Sequence, residues 1–213
     1  MDQHQSWHRR RLLEQAALAL EKNGIPTAVF ETSEEALTHI EEAAREAQNV
    51  GFGGSMTLSE LAVAERLAGR GKDLLDHGRA GLSAEERREI MSRQQGCDLF
   101  LTSTNALTVG GHLVNIDATG NRVCAMAFGP KRVLVVAGAN KVTMDLESAL
   151  RRVRETACPP NARRLGFNTP CASTGRCSDC DAPDRICRVT TIIERRPRGT
   201  DLQVCLINAD LGY

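Results

Sequence analysis

Apolar residues recur at helical spacing early in the chain. Leu13, Ala16, Ala17 and Leu20 stand at i, i+3, i+4 and i+7, one stripe of a helix running from about Ser6 to Asn23. Asn23-Gly24 followed by Pro26 is a helix stop. Thr27 to Glu31 then reads as a short strand. Thr32 with Glu35 forms a capping box for a second helix carrying Ala36, Ile40, Ala43 and Ala44. Asn49 to Gly53 is the next strand. Thr57 with Glu60 looks like another capping box, opening a helix that ends near Gly69. Asp73 to His77 is a strand, and Ser83 with Glu86 caps a polar helix to about Gln95.

The second half is richer in β-branched runs. Asp98 to Thr102 predicts a strand. His112 to Ile116 and Arg122 to Ala127, joined by the turn residues Asp117 to Asn121, predict a hairpin. Arg132 to Ala137 is nearly continuous in valine and leucine, the pattern of a strand buried on both faces of a parallel sheet. A helix follows from about Asp145 to Thr156. Val189 to Glu194 and Leu202 to Asn208 bracket Arg195 to Asp201 as a hairpin or a pair of edge strands. Strands alternating with helices predict a three-layer α/β/α fold around a mostly parallel sheet. The expected organisation is an N-terminal helix over residues 1–24, then one α/β domain over 25–213 that includes a cysteine loop at 168–188.

Composition narrows the function classes. The 213 residues suffice for one large domain. Lysine plus arginine equals aspartate plus glutamate at 27 each, so there is no basic field for nucleic acid or for an anionic membrane surface. Aromatic residues are 3%, too few for base-stacking platforms. The first residues lack an apolar signal core, and no apolar run approaches membrane-spanning length, so a cytoplasmic location is expected.

Three loops follow the expected C-terminal ends of strands: Gly53-Gly54-Ser55-Met56-Thr57, Thr102-Ser103-Thr104-Asn105 and Gly138-Ala139-Asn140-Lys141. Ligands of open α/β sheets bind in the crevice at those ends. Gly53 and Gly54 would allow close backbone approach, a helix opening near Thr57 would present free N–H groups, and Lys141 would add a positive charge. The candidate ligand is a small anionic metabolite, with Gly53, Gly54, Ser55, Thr57, Thr104, Asn140 and Lys141 as its contacts. The plainer reading is tight turns, a capped helix and a solvated lysine. No Ser–His–Asp or Cys–His–acid set can be assembled from the sequence.

The densest chemistry lies at Cys171, Cys177, Cys180 and Cys187, spaced C-x5-C-x2-C-x6-C in a polar, turn-rich stretch. Such a stretch buries little apolar surface, and a metal held by thiolates would give it one shape. Three readings stand: a [4Fe–4S] cluster, to which the C-x2-C step in a loop is suited; structural zinc; and free or disulfide-linked thiols. Bunching of the cysteines without a secretory signal weighs against a disulfide framework. Cys97, Cys124, Cys158 and Cys205 are scattered, mostly in apolar runs, and are expected to be small core residues.

Together these pieces resemble the LUD domain family, named for lactate utilisation. The resemblance rests on Val50-Gly-Phe-Gly-Gly-Ser55-Met-Thr57-Leu, Leu101-Thr-Ser-Thr104, Leu113-Val-Asn-Ile-Asp117-Ala-Thr-Gly-Asn121-Arg122-Val, Phe128-Gly-Pro-Lys131 and Gly138-Ala-Asn-Lys141-Val. It covers roughly residues 10 to 213, and the four-cysteine loop is similar to that of a subset of the family. The resemblance implies a fold similar to ribose-5-phosphate isomerase and CoA transferases. It also implies a role in oxidising lactate to pyruvate alongside iron–sulfur partner subunits. The leading expectation is a lactate-utilisation-type redox protein. The alternatives are an isomerase- or transferase-like enzyme acting on a phosphorylated or CoA-linked substrate, and a non-catalytic assembly subunit with a structural zinc.

Overall fold

The computed structural model describes residues 3–213; Met1 and Asp2, the start of the expected N-terminal helix, lie outside the described residues. In chain order the first half comprises α1 (Gln3–Lys22), β1 (Thr27–Phe30), α2 (Ser33–Ala43), β2 (Asn49–Phe52), α3 (Met56–Glu60), α4 (Val63–Ala68), β3 (Asp73–Asp76), α5 (Ala84–Gln94) and β4 (Leu99–Thr102). The second half comprises β5 (Ala106–Thr108), β6 (Leu113–Asp117), α6 (Asn121–Ala127), β7 (Arg132–Gly138), β8 (Val142–Thr143), α7 (Leu146–Arg152), α8 (Cys158–Arg164), α9 (Pro170–Thr174), β9 (Val189–Ile193) and β10 (Asp201–Ile207).

Six strands form a parallel sheet in the order β1-β10-β7-β4-β2-β3. Its strands alternate between two apolar layers because successive side chains of a strand point to opposite faces. Val133, Val135 and Ala137 of β7 join Leu13, Leu20, Ile90 and Met126 on one face. Leu134 and Val136 join Ile40, Leu58, Val63 and Leu67 on the other. The result is the three-layer α/β/α arrangement expected from the pattern. The capping boxes at Thr32/Glu35 and Ser83/Glu86 are both formed, and α1 buries the stripe Leu13, Ala16, Ala17 and Leu20.

A second, four-stranded sheet, β8-β5-β6-β9, stands beside the first. It buries Ala106, Val114 and Ile116 against Ala149 and Val153 of the helical segment that follows β8. This sheet corrects two expectations. Residues 122–127 form α6 rather than the return strand of a hairpin. The two sides of β6 are taken by β5 and β9, which leaves no edge for a third strand. The Asp117 carboxylate also accepts from the Val123 N–H at 3.1 Å, holding the first turn of α6. Likewise β9 and β10 are not partners. β9 is antiparallel to β6, and β10 lies between β1 and β7 in the large sheet.

Two helix boundaries also differ. The cap of α3 is Ser55, whose hydroxyl accepts from Leu58 N, and not Thr57. The helix expected over 145–156 runs on to Arg164 through one π-helical turn, Val153–Ala157, just before Pro159-Pro160. A proline inside a helix has no N–H to give and crowds the carbonyl four residues back. A turn widened by one residue relieves that conflict. In that turn the Cys158 N–H donates to Val153 O, five residues back.

Candidate functional site

The structure has two chemically dense places. The first lies at the C-terminal ends of β2, β4 and β7, where the three loops do meet. Lys141 donates to the Thr57 hydroxyl at 2.8 Å and to the Ser103 hydroxyl at 2.9 Å. Its side chain is only 4% exposed, which overturns the solvated-lysine alternative. Burial, with Arg152 and Arg122 nearby, pushes its pKa down to about 7; Glu60 works weakly the other way. Hydroxyls rather than a carboxylate stand at its nitrogen.

Arg122 supports this place from below. Its guanidinium donates to Asp117 Oδ1 through Nε at 2.9 Å and Nη2 at 2.5 Å. It also donates to Ser103 O, Asn115 Oδ1 and Asn105 Oδ1. These partners come from β6 and from the loop between β4 and β5, so one side chain ties the two sheets together. Arg152 of α7 donates to Asn140 O at 2.9 Å and Asn105 O at 2.5 Å, and burial lowers its pKa to about 10.

Other expected contacts have structural work. A Cβ on Gly53 would stand 2.5 Å from Thr102 Oγ1 and 3.1 Å from Arg122 Cγ, so this glycine makes room for the protein's own side chains. Gly54 has φ +60, a conformation that favours glycine for backbone reasons alone. The Thr104 hydroxyl donates to Ala106 O and Val114 O, inside the small sheet. Asn140 holds the segment 209–213, donating to Gly212 O and accepting from Leu211 N. The same segment takes a bond from Thr57 to Leu211 O, and Gly212 N donates to Glu60 at 2.7 Å. Gly212 sits so closely on α3 that a Cβ there would be 2.8 Å from Thr57 N. The start of α3, expected to offer free N–H groups, is therefore covered by the chain itself, and α3 is one short turn. Ser103, Arg122 and Arg152 were not singled out from sequence. Asp117, expected as a turn residue, is the carboxylate of the clamp.

The second place is the cysteine loop. Thr169 caps α9 by accepting from Ala172 N, and Gly175, with φ 74, ends it. Asn168 N donates to Asp184, closing the loop, and Arg188 N donates to Asp117 O as the chain enters β9. Cys171, Cys177, Cys180 and Cys187 all line one small cavity. Thr169 Oγ1 lies 3.3 Å from Cys171 Sγ, and Arg185 Nη2 donates to Cys187 Sγ at 3.4 Å. Arg154 and Arg185 are also on the cavity wall.

A fifth cysteine lines the cavity: Cys158, the first residue of α8. It is buried, and its thiol pKa is pushed up to about 12 by burial first and then by the thiols of Cys187, Cys171 and Cys177. Cys158 is thus a buried core residue, as expected, that also lines the cavity. Cys97 and Cys205 are core residues, whereas Cys124 is exposed on α6. Among the described residues no three or more His, Cys, Asp or Glu side chains stand close enough around one point to hold a single metal ion.

The LUD domain family model matches residues 13–207 of the chain. The crystal structure of a DUF162 family protein from Deinococcus radiodurans is similar in fold, with a TM-score of 0.55 at 16% sequence identity, covering 93% of this chain and 98% of that one. No curated protein matches the chain.

Proposed function

The chain belongs to the LUD domain family, and from that premise we propose that it is a redox protein of the lactate-utilisation type, carrying an iron–sulfur cluster on its cysteine loop. The observation that carries this reading is the gathering of Cys171, Cys177, Cys180 and Cys187 around one cavity. The residues fit the group. Thiolates are the ligands of a [4Fe–4S] cluster, which supplies one-electron transfer when bound. Arg154 and Arg185 would offset its negative charge, and Arg185 at Cys187 and the Thr169 hydroxyl beside Cys171 would orient those sulfurs. A single zinc ion needs four sulfurs at about 2.3 Å from one point. Structural zinc is the alternative that the same four thiols would serve.

Purified and reconstituted without air, the protein should be brown, with about four iron and four sulfide per chain. Stoichiometric zinc and no iron under the same conditions would overturn the reading. No helix among the described residues is long and apolar enough to cross a membrane. The electron partners we propose are iron–sulfur subunits, as the resemblance implies.

A small anionic metabolite is the second element of the proposal, and it rests on Lys141, a buried cation whose nitrogen meets only hydroxyls. Leu211 and Gly212 lie over the Thr57 side of this place. Thermal shifts with phosphate, pyruvate, lactate, sugar phosphates and CoA should reveal a ligand that stabilises the wild type by mass action and Lys141→Met less, each relative to its own ligand-free midpoint. Equal shifts in both proteins would remove Lys141 from the site.

A further inference from the structure

A [4Fe–4S] cluster takes four thiolates, and the cavity is lined by five cysteines. The extra one comes from the domain rather than from the loop. Cys158 follows the π-helical turn Val153–Ala157 and precedes two prolines. One added residue rotates the following helix by about 100° relative to an uninterrupted α-helix; Arg154 within the turn and Cys158 just after it both line the cavity. Such turns are rare and recur at functional sites. Cys158 is buried against Ala149 and Val153, and Cys187 packs on the same apolar cluster. The rigid helix therefore presents one sulfur beside the last cysteine of the loop.

We propose that Cys158 is a fifth ligand of this site, taking the place of Cys187 on iron when that thiolate leaves. The inference rests on the iron–sulfur reading above. In such an exchange the Cys158 thiol would give its proton to solvent on binding iron, and the released Cys187 thiolate would take one up. No electron moves.

The test is anaerobic reconstitution of the full chain with ferrous iron and sulfide, read by iron and sulfide content and by electron paramagnetic resonance after reduction. Four proteins are compared: wild type, Cys158→Ala, Cys187→Ser and the double variant. Wild type and Cys158→Ala should hold equal iron. Cys187→Ser should keep more than about half, with an altered resonance, and the double variant should hold roughly fivefold less iron than Cys187→Ser. If Cys187→Ser is as empty as the double variant, or the double variant holds as much as Cys187→Ser, Cys158 is not a ligand. Circular dichroism checks folding, and Cys158→Ser with Cys187→Ser is read the same way should the alanine variant not fold. A wild type that takes up no iron overturns the iron–sulfur reading itself, whereas iron in the wild type with no effect of Cys158 overturns this inference alone.

Discussion

Lys141→Met should make the protein more stable at pH 7, by roughly 2–4 kcal/mol; the gain should vanish at about pH 9–10 and reverse slightly above that. The folded protein holds the Lys141 pKa at about 7, against 10.5 for a free lysine. Between those values the unfolded chain binds a proton that the folded protein releases. Stability of the wild type therefore rises with pH through that window, with a slope approaching about 1.4 kcal/mol per unit. Below pH 7 both states are protonated and the full penalty remains. Methionine has similar length and no charge to bury. Losing the bonds to Thr57 and Ser103 costs about 1–2 kcal/mol, which is already taken from the gain. Urea unfolding of both proteins from pH 6 to 10 measures the difference. A variant less stable than wild type at pH 7, or a difference independent of pH, would show that the lysine is not strained in the folded state. A destabilising side chain that meets only hydroxyls is what a binding group would be, since function is the usual reason for keeping such strain.

Asp117→Ala should cost about 3–5 kcal/mol, because it leaves the Arg122 charge buried without its counter-ion. Both side chains of the pair are nearly buried, at 10% and 8% exposure. The carboxylate also holds the Val123 N–H at the start of α6. The expected reading is a lower urea midpoint with an unchanged slope. A change below about 1 kcal/mol would mean that the bonds to Ser103, Asn105 and Asn115 carry the arginine unaided. The cysteine loop should feel the loss too, since Arg188 N donates to Asp117 O where the loop enters β9.

Much of the large sheet was legible in the sequence. The run Arg132 to Ala137 has to be a strand covered on both faces, and it lies inside the parallel sheet. Thr32/Glu35 and Ser83/Glu86 carry their helix starts within four residues, so local chemistry alone specified them. The meeting of the loops after β2, β4 and β7 was also readable, because parallel strands bring their C-terminal ends to one edge. The grouping of the four loop cysteines was visible as spacing.

What stayed hidden depended on distant partners. Residues 121–127 have no strong local preference; they are helical because β5 and β9 flank β6 and because the Asp117 carboxylate accepts from the Val123 N–H. Val189–Ile193 and Asp201–Ile207 look like a hairpin until each finds a better partner in a different sheet. The covering of Thr57 by Gly212 joins positions more than 150 residues apart. Cys158 sits among prolines that read as a helix end, but the helix runs on through the widened turn before them, and Cys158 lines the cavity. Sequence by itself determined the α/β alternation, the helix caps, the strand-end loops and the four-cysteine spacing, all of which follow from short-range periodicity and capping. Tertiary structure decided the partners of β9 and β10, the burial of Lys141, the Asp117–Arg122 clamp and the fifth sulfur, because each depends on burial and hydrogen bonding between segments far apart in the chain.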